Sequence, residues 1–173
     1  MHTFLTGGTG VGKTTIINDY LALAHLSADG FSTGWADEPG ERRLYLRPFG
    51  NNSERHLLGR WADGRVQPVD DVTEVFDTQG ARLVEAAGRR DVIVMDEIGC
   101  LESAALRFQA AIMARVAGDV PIIGVLRSPA RSARCGFVNM LRLNPSLTVR
   151  EITAHNRDEV LGQLLAESGG RTT

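Results

Sequence analysis

The sequence predicts an α/β fold in which a mostly parallel central sheet carries helices on both faces and a small β-hairpin insertion. Three observations carry that prediction. Continuous apolar runs, Val92-Ile93-Val94-Met95 and Val120 to Leu126, have the character of strands buried on both faces of a parallel sheet. Segments with apolar residues at helical spacing alternate with such runs, as in successive βα units. A glycine-rich turn, Gly7-Gly8-Thr9-Gly10-Val11-Gly12-Lys13-Thr14-Thr15, links the first apolar residues, Phe4 and Leu5, to the first helical pattern. That strand, loop, helix order is the setting of a phosphate-binding loop, whose pattern G-x-x-x-x-G-K-[ST] is met at every fixed position.

The elements follow in order. A strand from His2 leads into the loop, and a helix is expected from Lys13 to Ser27, with Ile16, Ile17, Tyr20, Leu21, Leu23 and Ala24 as its apolar face and Asp29-Gly30 as its stop. Phe31 to Thr33 forms a short strand. Residues 35–70 read as a β-rich insertion, because Pro39-Gly40, Gly50-Asn51-Asn52, Asp63-Gly64 and Pro68 punctuate short alternating stretches such as Leu44-Tyr45-Leu46. From Asp71 the helical pattern returns, interrupted near Gly80 and stopped at Gly88. After the Val92 to Met95 strand, a helix is expected from a Ser103 cap to Ala117, with Leu106, Ala110, Met113 and Ala117 facing inward. The last third gives a short helix near Phe137 to Leu141, a strand from Leu147 to Ile152, and a helix from Asn156 to Glu167 whose start matches a capping box with Glu159.

Composition bounds the partners. The chain, 173 residues long, is read as one domain, 1–173, large enough for its own core. A net charge of −2 argues against a dedicated nucleic-acid or membrane surface. No apolar run is long enough to span a bilayer, and a first strand at His2 leaves no space for a leader, so a cytoplasmic monomer or weak oligomer is expected. Cys100 and Cys135 show neither metal nor redox spacing and are read as small, partly buried side chains.

The loop defines the chemistry. Glycines let Gly7, Gly8, Thr9, Gly10, Val11 and Gly12 turn main-chain N–H groups around a polyphosphate, and the following helix adds its positive end. Lys13 would reach the β and γ phosphates, and Thr14, next to Thr15, would place its hydroxyl on a Mg²⁺ ion that bridges them. Asp96 and Glu97 end a buried strand, where ligands bind in such sheets, so Asp96 can hold the metal and Glu97 can activate water. Arg127, Arg131 and Arg134 follow the next strand, and Arg127 at its tip is placed to stabilise charge on the γ phosphate. Trp35, Trp61 and Tyr45 are read as core or hairpin packing, with stacking on a base as the competing role, and His25, on the first helix, and His56 as surface or satisfied core residues.

With Gly7 to Thr15, Val94-Met95-Asp96-Glu97-Ile98-Gly99 and Ile152-Thr153-Ala154-His155-Asn156-Arg157 in view, the chain resembles the THEP-type nucleoside-triphosphatase family almost end to end. Gly30-Phe31-Ser32-Thr33, Arg42-Arg43-Leu44 and Leu101-Glu102 look like further family segments. The resemblance implies a RecA-like P-loop fold with one strand between those of the loop and of Asp96. It also implies slow, Mg²⁺-dependent hydrolysis of ATP, GTP and other triphosphates, with Lys13, Thr14, Asp96 and Glu97 in the roles given above. The sequence departs from the family at Gly8-Thr9, at Cys100 and at Pro68. Two other classes compete with a hydrolase: a nucleotide-dependent adaptor that binds ATP or GTP for a partner, and a small-molecule kinase whose lid would be Arg131 to Arg134.

Overall fold

The apolar runs become neighbouring strands. In a computed structural model that describes residues 2–169, β1 (His2–Gly7), β2 (Ala28–Glu38), β3 (Glu41–Pro48), β4 (His56–Ala62), β5 (Arg65–Pro68), β6 (Val92–Ile98), β7 (Ile122–Leu126) and β8 (Leu147–Ile152) share one sheet. Its order is β5-β4-β3-β2-β6-β7-β1-β8. The strands β2, β6, β7, β1 and β8 pair in parallel. The insertion continues the same sheet as an antiparallel meander, β2 to β5. One strand, β7, separates β1 from β6.

Alternation along β1 divides the core. Leu5 joins Ile16, Ile17 and Leu21 of α1 (Lys13–Leu23) and Val160 and Leu164 of α7 (Arg157–Gly169) on one face. Phe4 belongs to the other face, with Phe76, Phe108, Ile112 and Leu141. That second layer comprises α2 (Val72–Val75), a π-helical turn (Phe76–Gly80), α3 (Ala81–Ala86), α4 (Leu106–Val116) and α6 (Gly136–Arg142). Phe108 meets Phe31 at 5.3 Å and Phe76 at 5.1 Å between ring centroids. Each such buried ring contributes about 1.5–3 kcal/mol relative to exposure.

Several boundaries differ from expectation. Helix α1 stops at Leu23, four residues short of Ser27, and His25 lies beyond it with φ 53° rather than on the helix. The chain must turn there because Ala28 already pairs with Val92. Strand β2 runs to Glu38 instead of Thr33, since β3 supplies a ladder along its whole second half. Ser103 caps nothing. Its hydroxyl donates to the Cys100 carbonyl at 2.7 Å, and α4 starts at Leu106. The inward stripe of α4 is Phe108, Ala111, Ile112 and Val116, while Leu106 is 72% exposed, because the Phe108 ring stack sets the helix rotation. Asn156 turns its side chain back to the Thr153 N–H at 2.8 Å, and Glu159 engages Gln163 at 3.1 Å, so no capping box forms. Pro68 is accommodated because β5 is an edge strand.

Candidate active site

The glycine loop lies between the end of β1 and the start of α1, beside β8. Gly7 has φ 136°, and a Cβ there would run into the Ile152 carbonyl oxygen. Gly12, at φ 92°, forms the N-cap of α1, and its missing side chain leaves room for the Arg157 guanidinium, which a Cβ would meet at 2.8 Å. Gly8, Thr9 and Gly10 at the tip are exposed, and Val11 is half-buried. Lys13 is buried, not exposed as a simple loop position would be. Its ammonium folds back into the loop and donates to the carbonyls of Gly7 at 3.1 Å and Gly8 at 2.7 Å. Thr14 and Thr15 follow on the exposed side of the helix.

The second half of the site comes from β6. Thr14 donates its hydroxyl hydrogen to Asp96 Oδ2 at 2.7 Å, which joins α1 to β6 across the intervening β7. Burial pushes the Asp96 carboxyl up to about 6. The charge of Glu97 adds to that, while the Thr14 hydrogen bond and Lys13 oppose it. Glu97, next along and joined to Asp96 by a cis peptide, donates its backbone N–H to Thr33 Oγ1 of β2 at 3.3 Å. Its Oε1 lies 3.4 Å from Arg127 Nη1.

Arg127 is fixed by its backbone: its N–H donates to the Ile98 carbonyl at 2.9 Å, and its own carbonyl accepts from Arg142 at 2.8 Å. Past it, α5 (Pro129–Ser132) carries Arg131 to the loop, where Nη1 donates to Thr9 Oγ1 at 2.6 Å. Arg134 is exposed. A cleft of about 330 Å³ is lined by Thr9, Thr14, Asp96, Glu97, Arg127 and Arg131, and continues along the meander past Thr33 and Trp35. A cleft of that size suits a ligand. Tyr45 is buried and donates to Glu38 at 2.6 Å, as hairpin packing requires. His56 sits 3.2 Å from Glu54 on the insertion, away from the loop.

The donor set fits magnesium. The hydroxyl of Thr14 and the carboxylate of Asp96 converge as hard oxygen donors, and phosphate oxygens and water would complete an octahedral shell. Among the described residues no cluster of three or more His, Cys, Asp or Glu is arranged for a metal.

Three features of the site had no role assigned from the sequence, although Glu102 and Arg157 fall in segments that carry the family resemblance. Glu102 is 2% exposed and accepts the Gly99 N–H on Oε1 at 2.5 Å, which fixes the turn after Glu97. Burial pushes its carboxyl up to about 7, against the Gly99 hydrogen bond. Arg157 stands against Gly12 with its Nε buried and without a hydrogen-bond partner. Most directly, Cys100 and Cys135 are not independent thiols: they form a disulfide, with Cα atoms 5.4 Å apart. Their separation of 35 residues carries no spacing signature, and only the return of the chain after β7 brings them together. The cross-link ties the turn held by Glu102 to the start of α6, on either side of the arginine-bearing segment.

The model of a protein family described as NTPase matches residues 2–165. The nucleoside-triphosphatase THEP1 of Metallosphaera sedula is 30% identical over 173 residues, covering 96% of this chain and 86% of that protein. The protein of the same name from Thermotoga maritima is 26% identical, covering 96% and 94%. The solution structure of a human cancer-related nucleoside triphosphatase matches the fold with a TM-score of 0.74 at 23% identity, covering 99% of each chain. No helix among the described residues is long and apolar enough to cross a membrane.

Proposed function

The chain belongs to the NTPase family and is a nucleoside-triphosphatase, and from that premise we propose that it releases phosphate from ATP, GTP and other nucleoside triphosphates in a Mg²⁺-dependent reaction with little base discrimination. The observation that carries this reading is the 2.7 Å hydrogen bond from Thr14 to Asp96, because it aligns the loop that binds phosphate with the strand end that bears two acids.

In this reading the backbone N–H groups of Gly7 to Thr15 receive the β and γ phosphates, and the Lys13 ammonium leaves its two carbonyl partners for their oxygens. Thr14 and Asp96 would hold a magnesium ion, whose chemistry would be to neutralise charge on the phosphate oxygens. Glu97 accepts a proton from the attacking water, while the β-phosphate oxygen departs as diphosphate. Arg127, 3.4 Å from Glu97, orients that carboxylate and, with Arg131, offers positive charge where the transition state needs it. Contacts of the loop with phosphates, which every nucleoside triphosphate shares, support the reading of weak base selection.

Phosphate release from ATP, GTP, CTP and UTP, with magnesium or with excess chelator, tests the reading. Glu97→Gln should keep Mg²⁺-ATP binding and lose about 10²-fold or more in turnover. Wild-type turnover in that variant, or release indifferent to chelator, would remove Glu97 or the metal from the mechanism.

A further inference from the structure

Hydrolysis leaves Trp35 and Trp61, the two tryptophans of the chain, without a role. Both line the cleft that contains Glu97. The meander's register explains why. Trp35 lies opposite Leu44, Asp37 opposite Arg42, Leu44 opposite Gly59, and Trp61 opposite Val66. With a side-chain period of two, Thr33, Trp35, Arg42, Leu44, Trp61 and Val66 fall on one face, and all six border the cleft.

This wall packs across the meander and still leaves ring surface uncovered. Trp61 is 43% exposed, and the indoles meet edge to face with centroids 5.8 Å apart, so ring surface remains open to a ligand. The Arg42 guanidinium sits 5.2 Å over the Trp35 ring. Polarity changes along the cleft: an aromatic and apolar end at the tryptophans gives way to the hydroxyl of Thr33 and the carboxylate of Glu97. A matching molecule has a flat ring at one end and hydroxyl groups at the other.

We propose that this limb of the cleft binds a nucleoside, separate from the nucleotide held by the glycine loop. Its heteroaromatic ring stacks on the exposed Trp61 indole, beside the Trp35 ring that stands across it, and its sugar hydroxyls point toward Thr33 and Glu97. The ring is not that of the loop nucleotide. In the hydrolase reading Lys13 and Thr14 would orient the phosphates of that nucleotide at the turn between β1 and α1, whereas the tryptophans stand on the meander strands β2 and β4. That orientation rests on the hydrolase reading, whereas occupancy of the tryptophan limb does not.

Tryptophan fluorescence reads the site directly. Adenosine and guanosine, which lack phosphate, should quench the wild-type protein saturably, and Lys13→Ala should respond with the same midpoint within about threefold, since stacking alone holds the ring. Trp61→Leu, which keeps Trp35 as reporter, should weaken binding about tenfold, and Trp61→Phe should restore it because its ring still stacks. Circular dichroism verifies that each variant is folded. The proposal is overturned by absent quenching with both nucleosides, by loss of quenching in Lys13→Ala, which would assign the ring to the loop nucleotide, or by equal binding in Trp61→Leu. Phosphate release from ATP without added nucleoside tests the hydrolase reading separately.

Discussion

Replacing Glu102 by glutamine should change the protein's response to pH in a way that can be worked out beforehand. The carboxyl of this residue rises from 4.5 to about 7 on folding, chiefly because burial disfavours its charged form. Between those values the folded chain holds a proton that the unfolded chain has released. Stability therefore falls as pH rises through that window and levels off above about 7, a loss of about 3 kcal/mol by linkage. Glutamine mimics the protonated acid: its carbonyl can still accept the Gly99 N–H, and it does not titrate. Urea unfolding of both proteins at the acid and alkaline ends of the window measures the effect. Asp96 also titrates, near about 6, but is common to both and cancels in the difference. Glu102→Gln should be close to neutral at the acid end and more stable than wild type by about 3 kcal/mol at the alkaline end. Identical pH dependence in the two proteins would refute the reasoning and place the Glu102 carboxylate in a solvated site.

Two further perturbations follow. Lys13→Ala removes a buried ammonium that two loop carbonyls hold, and the variant should stay folded by circular dichroism while phosphate release falls about 10²-fold or more; unchanged release would exclude the loop from turnover. Cys135→Ser, or reduction of the wild type, opens a cross-link between residues 35 apart and should cost about 3–4 kcal/mol in chemical denaturation, whereas equal midpoints with and without reductant would mean that the link adds nothing to stability.

What could be read in the chain was what is local or contiguous. The glycine loop, Lys13 and Thr14 sit in one run, and Asp96-Glu97 ends an apolar strand, so both halves were visible although their meeting through Thr14 and Asp96 is a tertiary fact. Strand β7 falls between them as the family resemblance implied. Features that depend on distant partners were hidden. The rotation of α4 is decided by Phe31 and Phe76, not by spacing within the helix. The length of β2 depends on β3, and Asn156 prefers the Thr153 turn to the helix start. Glu102 looks like any acid after an apolar residue until the Gly99 turn encloses it, and nothing around Arg157 in the chain announces that it faces Gly12.

The Cys100 to Cys135 link converts a stretch of backbone into a closed ring that contains α4, β7, Arg127 and Arg131. Ala117, Gly118 and Asp119 form an exposed corner of that ring. A protease that nicked this corner would leave two fragments still covalently joined, with Arg127 held in the same molecule as Glu97. Such nicked protein would run as one species in a denaturing gel and fall apart only when a thiol is added.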